Sequence, residues 1–235
     1  MSIIIACSKP WFRPEDRSER FNSMDIEWIS EKDALTSAYL RKVNPSYVFF
    51  PHWNWIVEKE IHEEFECVVF HTAPLPWGRG GSPIQNLILA GLQETPVCAL
   101  RMRDEIDGGP IYGTRQISLT GTISEIFSRV GHRVEELILE ICANHPTPIP
   151  QRGEPHIFKR LSSKNNRLTA GLSADEIYDR IRMVDGLDYP RAFCVDNGLR
   201  IEFSNAEIAN GQLTALAKFI VPEEPSTTGE RNESS

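Results

Sequence analysis

The stretch VVFHTAPLPWGRGGSP, residues 68–83, decides the fold that we expect for this chain. The apolar run over residues 67–70 predicts a short buried strand, and His71 follows at its carboxyl end. A loop rich in proline and glycine comes next and leads into a helix. Downstream, the turn DEIDGGP at residues 104–110 sets acidic residues beside glycines. We expect His71 and Asp107 to meet in space, with the rest of the chain bringing a substrate to them.

The composition of the 235 residues is ordinary for a soluble globular protein, with 40% apolar and 25% charged residues. This length suffices for one domain with a small annex. No apolar run approaches the roughly 18 residues that a bilayer span requires. Residues 1–7 lack a basic region, so they indicate a first strand and not a signal peptide. We therefore predict a cytoplasmic protein with no membrane partner.

The charge and the cysteine pattern exclude further classes. A net charge of −8 argues against general nucleic-acid binding, because such binding needs a basic face that displaces counterions from phosphates. A local basic site for one small phosphate ligand is still compatible with it. The five cysteines are scattered without C-x-x-C spacing, which indicates buried thiols, and the histidines lack the spacing of metal ligands. We predict that no metal is bound.

The first half of the chain alternates strands and helices. Strands are predicted at 2–7, 24–29, 47–50 and 67–70, and helices at 32–43, 56–65 and 83–92. This alternation predicts an α/β fold with a Rossmann-like, mostly parallel sheet and helices on both faces. Ligands of such sheets bind beyond the carboxyl ends of the strands, where His71 stands. Two further strands, 97–103 and 111–119, flank the acidic turn, and a capping box of Thr122 and Glu125 begins a long helix.

Three prolines within residues 146–150 end this first unit. We expect a catalytic domain at 1–145, a small α+β annex at 151–221 and a disordered tail at 222–235, which has no apolar residue to bury. The annex contains a helix that starts at a second capping box, Ser173 to Glu176, and three strands at 192–195, 199–203 and 213–220. Asp196-Asn197-Gly198 predicts a hairpin between the first two strands. Such hairpins could pair across the axis of a homodimer.

The residue types at the two turns suit proton transfer. Histidine exchanges protons near neutral pH, and a carboxylate such as Asp107 could orient the ring of His71. Spacing alone favours a structural histidine and an ordinary turn aspartate, so the pair is a hypothesis. Trp53 and Trp55 either belong to the core or form a flat wall for an aromatic ligand.

Three motifs in a fixed order resemble a known family. They are FHTAPLP at 70–76, GRGGSPIQ at 78–85 and DGGPIY at 107–112. They resemble the amino-terminal domain of the folate-dependent formyltransferases, a family that includes methionyl-tRNA, glycinamide ribonucleotide and amino-sugar formyltransferases. The resemblance covers residues 1–145, and stretches at 181–182 and 189–193 echo it in the annex. The segments PHWNW at 51–55, GRGGSP at 78–83 and FKR at 158–160 look most like short sugar formyltransferases of the pseudaminic-acid type.

The resemblance implies an enzyme that moves a formyl group from 10-formyltetrahydrofolate to the amine of a nucleotide-linked amino sugar, in polysaccharide biosynthesis. It implies that His71 takes or relays the amine proton and that Asp107 orients His71. The residues that it places at the pterin pocket are Trp53, Asn54, Trp55, Ile56, Asp104, Glu105 and Ile106. We expect the substrate to contact Lys9, Trp11, Trp77 and Arg79, since cations suit phosphate and tryptophan stacks on bases.

One position departs from the family pattern. The family has a catalytic asparagine two residues before the histidine, where this chain has Val69. Side chains at i and i+2 share a strand face, so Val69 faces the same region as His71 without a polar group. Loss of one oxyanion donor typically costs about 2.7–4 kcal/mol in the barrier. Asn54 or a backbone N–H could replace it; otherwise the fold serves as a ligand-binding module. The chain could also formylate methionyl-tRNA or hydrolyse formyl-folate.

Overall fold

A six-stranded sheet lies at the centre of the computed structural model, which describes residues 1–221. The strands are β1 (Ser2–Cys7), β2 (Asp25–Ile29), β3 (Tyr47–His52), β4 (Cys67–His71), β5 (Trp77–Gly80), β6 (Glu94–Arg101), β7 (Ile111–Ser118), β8 (His156–Phe158), β9 (Ala192–Asp196), β10 (Leu199–Ala209) and β11 (Gln212–Ile220). The α-helices are α1 (Glu19–Asn22), α2 (Ser37–Val43), α3 (Lys59–Glu64), α4 (Pro83–Leu89), α5 (Ile123–Asn144) and α6 (Ala174–Arg182). The predicted tail at 222–235 lies outside the described residues.

The sheet has the order β2-β1-β3-β4-β6-β7. The first four strands are parallel, whereas β6 runs antiparallel to β4 and β7 antiparallel to β6. The expected α/β fold with a mostly parallel sheet is confirmed. Because β6 returns beside β4, the loop between β6 and β7 can reach the residues that β4 carries.

Both faces of the sheet are buried, as the continuous apolar strands predict. Ile3 and Ile5 of β1 join one core cluster, and Ile4 joins another on the opposite face. The helix α5 covers the first face, and Leu40 of α2 with Ile61 of α3 packs in the second cluster. Each fully buried aliphatic side chain contributes about 1.5–3 kcal/mol relative to exposure.

The capping boxes form where the sequence places them. Thr122 accepts from the backbone N–H of Glu125, and the Glu125 carboxylate accepts from the backbone N–H of Thr122. The helix predicted at 32–43 is shorter, because the side chain of Thr36 accepts from Tyr39 N and begins a new helix at Ser37. The preceding residues form a 3₁₀ turn at Lys32–Ala34.

Sequence periodicity missed a small parallel sheet of β5 and β8. Gly78 and Gly80 of β5 have φ of 91° and 97°, in a region that favours glycine. An added Cβ at Gly80 would lie 2.7 Å from the carbonyl oxygen of Phe158. The strand thus depends on close backbone approach and not on alternating apolar side chains, so no periodic pattern predicts it.

The annex is built on the sheet β11-β10-β9, with antiparallel neighbours. The turn between β9 and β10 has Asn197 and Gly198 at φ of 47° and 84°, as a tight hairpin requires. Ile181 and Val184 belong to the same core cluster as Ile3 of β1. The core of the annex is therefore continuous with the core on that face of the central sheet, and α6 packs on α4. Within residues 1–221, no helix combines the length and apolar character that crossing a membrane would need.

Candidate active site

His71 is buried at the carboxyl end of β4, and both of its ring nitrogens have partners. Nε2 lies 2.8 Å from the carbonyl oxygen of Gly78. Nδ1 lies 3.4 Å from Oδ2 of Asp107. The structure thus brings together the histidine and the aspartate that the sequence singles out.

The partners of His71 fix the orientation of its ring. A carbonyl oxygen only accepts, so Nε2 carries a hydrogen in its contact with Gly78. On the other side of the ring, Nδ1 faces the carboxylate of Asp107. The two contacts together hold the plane of the imidazole at the carboxyl end of β4.

The turn that presents Asp107 is shaped by glycine. Asp107 itself has φ of 51°, a left-handed conformation, and its Oδ2 accepts from Gly80 N at 2.9 Å. A Cβ on Gly109 would lie 1.8 Å from the carbonyl oxygen of Arg101, which no side chain can tolerate. Gly109 therefore lets the turn pack tightly against the end of β6. In this position Oδ2 of Asp107 lies 3.4 Å from Nδ1 of His71.

Gln151 joins this group, although no sequence motif pointed to it. Its Nε2 donates to the carbonyl oxygens of Asp107 at 2.7 Å and Gly109 at 2.8 Å. Its Oε1 accepts from Nε and Nη2 of Arg79, at 3.1 and 2.8 Å. Arg79 also pairs with Glu105 and is only 6% exposed. The predicted contacts of Arg79 and Glu105 with ligands stay predictions, since here the two residues bind each other.

The wall beside His71 is apolar. Val69 pairs with Phe50 on β3 and Leu100 on β6, and it packs in the same cluster as Trp53 and Met102. The position that carries asparagine in the resembled family thus adjoins aromatic and aliphatic side chains in this chain.

Of the predicted pterin residues, Trp53 shares the cluster of Val69, and the others differ in exposure. The rings of Trp53 and Trp55 meet edge to face at 4.9 Å. Ile56 and Ile106 are 93% and 72% exposed, so both are free to cover a ligand. Asp104 accepts from Lys59 at 2.9 Å, and this hydrogen bond lowers the pKa of the Asp104 carboxyl.

A second group forms at the end of the neighbouring strand β3. Trp11 Nε1 donates to Nδ1 of His52 at 3.3 Å. Burial and, after it, the positive charges of Lys9 and Arg160 together lower the pKa of His52 to about 4. His52 is thus neutral at pH 7, with two cations nearby. The FKR segment at 158–160 was the one sequence signal for Arg160.

Asn54 and Trp77 have different surroundings. Among the described residues, the hydrogen bonds of Asn54 reach Ser8 Oγ through its backbone N–H and His52 through its side chain. Its role as an oxyanion donor therefore stays a prediction. The ring of Trp77 stacks on His156, with centroids 5.7 Å apart, at the edge formed by β5 and β8.

Two cavities lie away from His71. One of about 600 Å³ separates α6 from the annex sheet and is lined by Ile177, Phe203 and Leu213. Another of about 380 Å³ is lined by Tyr47 and Arg101, among others. Residues 1–221 contain no cluster of three or more His, Cys, Asp or Glu side chains that could hold a metal ion.

Several known proteins are similar to this chain. A family profile described as methionyl-tRNA formyltransferase, C-terminal domain, matches residues 163–220. The methionyl-tRNA formyltransferase of Francisella philomiragia is 28% identical over 206 residues, which are 83% of this chain and 65% of that protein's length. An N-formyltransferase from Helicobacter canadensis was solved in complex with folinic acid and dTDP-3-aminofucose. It is 15% identical with a TM-score of 0.56, and the match covers 90% of this chain and 93% of the Helicobacter chain. At that identity the likeness shows the fold alone.

A solved structure provides the stronger comparison. The methionyl-tRNA formyltransferase from Clostridium thermocellum has a TM-score of 0.88 and is 40% identical, with 94% of this chain and 99% of that chain covered. The Clostridium thermocellum and Francisella philomiragia proteins are both methionyl-tRNA formyltransferases, so the expected closeness to sugar enzymes is not confirmed. Identity at this level over the whole of a related chain places the protein in the formyltransferase family.

Proposed function

We propose that the protein is an N-formyltransferase that moves the formyl group of 10-formyltetrahydrofolate to a primary amine. The observation that carries this proposal is the contact of buried His71 with Asp107, whose Oδ2 lies 3.4 Å from Nδ1 of the ring. Membership of the formyltransferase family supports it. The folinic acid bound by the Helicobacter canadensis enzyme supports a folate as the donor.

The proposed reaction is an addition followed by an elimination. The amine nitrogen attacks the formyl carbon, a C–N bond forms, and the carbonyl oxygen becomes an oxyanion. The bond from the formyl carbon to folate N10 then breaks. The attacking amine loses one proton and N10 gains one, so the reaction neither consumes nor releases a proton overall.

His71 is placed to move that proton. The ring would take the proton of the attacking amine and pass it to N10, and its Nε2 would exchange the carbonyl oxygen of Gly78 for the substrate during the transfer. Asp107 keeps a partner for Nδ1 throughout, which fixes the ring plane and stabilises the charged ring. The burial of His71 excludes water, which strengthens each of these interactions.

The donor fits the apolar wall beside His71. Trp53, Val69 and Met102 share one cluster there, and a flat pterin ring buries well against aromatic and aliphatic side chains. Ile56 and Ile106, both well exposed, would lose contact with water when the ring is bound. The missing family donor at Val69 would be replaced by Asn54 or by a backbone N–H group.

For the acceptor, methionyl-tRNA is favoured by the relatives. The Clostridium thermocellum protein, 40% identical, and the Francisella philomiragia protein are both methionyl-tRNA formyltransferases. Lys9 and Arg160, the two cations near His52, would then bind phosphates at the end of the tRNA.

A nucleotide-linked amino sugar is the second candidate, and a different observation favours it. The net charge of −8 opposes the broad phosphate contacts that a folded RNA requires. A diphosphate needs few cations, and Lys9 with Arg160 supplies two near the end of β3. The charge of the chain therefore suits a small phosphate-bearing acceptor.

One assay separates these two acceptors. Purified protein is incubated with 10-formyltetrahydrofolate and, in turn, methionyl-tRNA, nucleotide-linked 4-amino sugars and buffer alone, and products are measured by mass spectrometry. A gain of one formyl group identifies the acceptor, and His71→Ala should abolish that gain. Folate release in buffer alone would indicate hydrolysis. Folate binding in calorimetry with no turnover on any amine would overturn the proposal in favour of a binding module.

A further inference from the structure

The amide of Gln151 links three separate segments of the chain at the active site. The segments are β5, which carries Arg79 and Gly80; the turn at 104–110; and the chain that follows α5. We propose that Gln151 is the positioning residue that holds Asp107 against His71 during formyl transfer. This inference rests on the proposed function, and it adds a residue that the family motifs do not include.

Every hydrogen-bonding group of the Gln151 side chain is used. Its NH₂ group donates to two backbone carbonyls, those of Asp107 and Gly109, at 2.7 and 2.8 Å. Its oxygen accepts from two nitrogens of Arg79, at 3.1 and 2.8 Å. A primary amide offers two donors and two acceptor sites, so this geometry leaves none unpaired.

The partners also fix which way the amide points. Carbonyl oxygens cannot donate and a guanidinium cannot accept, so the reversed amide would lose all four contacts. Only glutamine, or a group with the same donors and acceptors, satisfies both sides. A carboxylate of the same shape can accept from Arg79 but cannot donate to the two carbonyls.

These contacts hold the Asp107 turn from two sides. From one side, Gly80 N donates to the Asp107 carboxylate at 2.9 Å. From the other, Gln151 binds the backbone of Asp107 and is itself held by Arg79, the residue before Gly80. The result is a closed ring of contacts between β5 and the turn. Since Asp107 has a strained φ of 51°, this support is what keeps its carboxylate near His71.

The test compares Gln151→Glu with a matched change elsewhere. Gln85 of α4 is buried, whereas Gln151 is half-buried, and the Gln85 amide donates to the carbonyl oxygen of Met183 in the annex. Gln85→Glu therefore makes the same chemical change in a buried amide outside the active site. Gln151→Met, which removes the hydrogen bonds without adding charge, is the second variant in case the glutamate prevents folding.

Kinetics and ring resonances are both measured. We expect Gln151→Glu to lower kcat by about 10²-fold, the typical effect of a misplacement near 1 Å, while KM for 10-formyltetrahydrofolate stays within about twofold. The NMR signals of the His71 ring are assigned with the help of His71→Ala, and their chemical shifts are followed against pH. In Gln151→Glu these shifts should depend on pH as in Asp107→Asn and differently from the wild type. Gln85→Glu should leave the kcat and the ring signals as in the wild type.

The outcomes distinguish this inference from the proposed function. If Gln151→Glu and Gln151→Met keep the wild-type kcat, or leave the His71 signals unchanged, the positioning role is wrong. If the wild-type protein formylates no acceptor, the proposed function fails. The ring signals then still decide whether Gln151 holds Asp107 against His71.

Discussion

Two buried regions at the ends of neighbouring parallel strands surround one histidine each, with opposite electrostatics. His71 at the end of β4 lies between a carbonyl oxygen and the carboxylate of Asp107. His52 at the end of β3 accepts a hydrogen bond from Trp11 and lies near two cations, so its pKa falls to about 4. The first region presents two acceptors to its ring, whereas the second presents a donor and two cations, which favour a neutral ring. Position at a strand end is common to both, so the partners decide which histidine moves protons.

The largest effect should come from removing the proton-moving ring. We expect His71→Ala to lower kcat/KM by about 10²–10⁴-fold, the usual contribution of a general acid–base, measured by formyl transfer in steady state. His132→Ala, on the exposed side of α5, is the control and should keep the wild-type rate. Wild-type activity in His71→Ala would remove His71 from the mechanism.

Val69→Asn should have a smaller effect, and this effect should be an increase in kcat. This change gives the β4 region the oxyanion donor that the family pattern contains, next to His71 on the same strand face. We expect kcat to rise by roughly 10-fold, less than the 10²–10³-fold of a full donor, since another group already serves in part. Val68→Asn faces the other core and should destabilise the fold without any gain. An unchanged or lower kcat in a folded Val69→Asn protein would show that the donor is not limiting.

Much of this arrangement could be predicted from local sequence. Apolar runs and capping boxes marked the strands and helices, and the rule for ligands at strand ends selected His71. The turn alone favoured an ordinary turn aspartate, and Asp107 was marked by the resemblance of DGGPIY at 107–112 to the family motif. These features depend on residues close together in the chain.

The remaining features depend on contacts that span long stretches of the chain. Gln151 meets Arg79 across 72 residues, and Trp11 meets His52 across 41. No periodicity or motif spacing reports such contacts. The neutral state of His52 likewise arises from burial and from Lys9, neither of which can be read from the residues beside it in sequence. Local patterns therefore place two histidines at strand ends but cannot assign their charge states.

The region around His52 should affect binding and not chemistry. We expect Lys9→Ala to raise KM for the phosphate-bearing acceptor by about 3–10-fold with kcat unchanged, because the lost contact acts equally before and during the reaction. KM for the folate donor should stay constant, and Lys32→Ala on the 3₁₀ turn before α2 is a matched control. A fall in kcat with constant KM would contradict the separation of the two regions.

The smallest effect concerns stability against pH. The pKa of His52 is about 4 in the folded protein, whereas the ordinary value of 6.5 applies when it is unfolded. Between these values the unfolded chain binds more protons, so the free energy of unfolding should fall as the pH drops from 6.5 to about 4. His52→Gln removes the titrating ring, and its loss of stability across this window should be smaller than that of the wild type. Chemical unfolding at several pH values measures the difference between the two proteins. Carboxylates with lowered pKa, such as Asp104, contribute equally to both.

The same pH dependence of stability in the two proteins would contradict this prediction. It would mean that His52 has the same pKa in the folded and the unfolded chain, and the contrast with His71 would then lose its electrostatic basis.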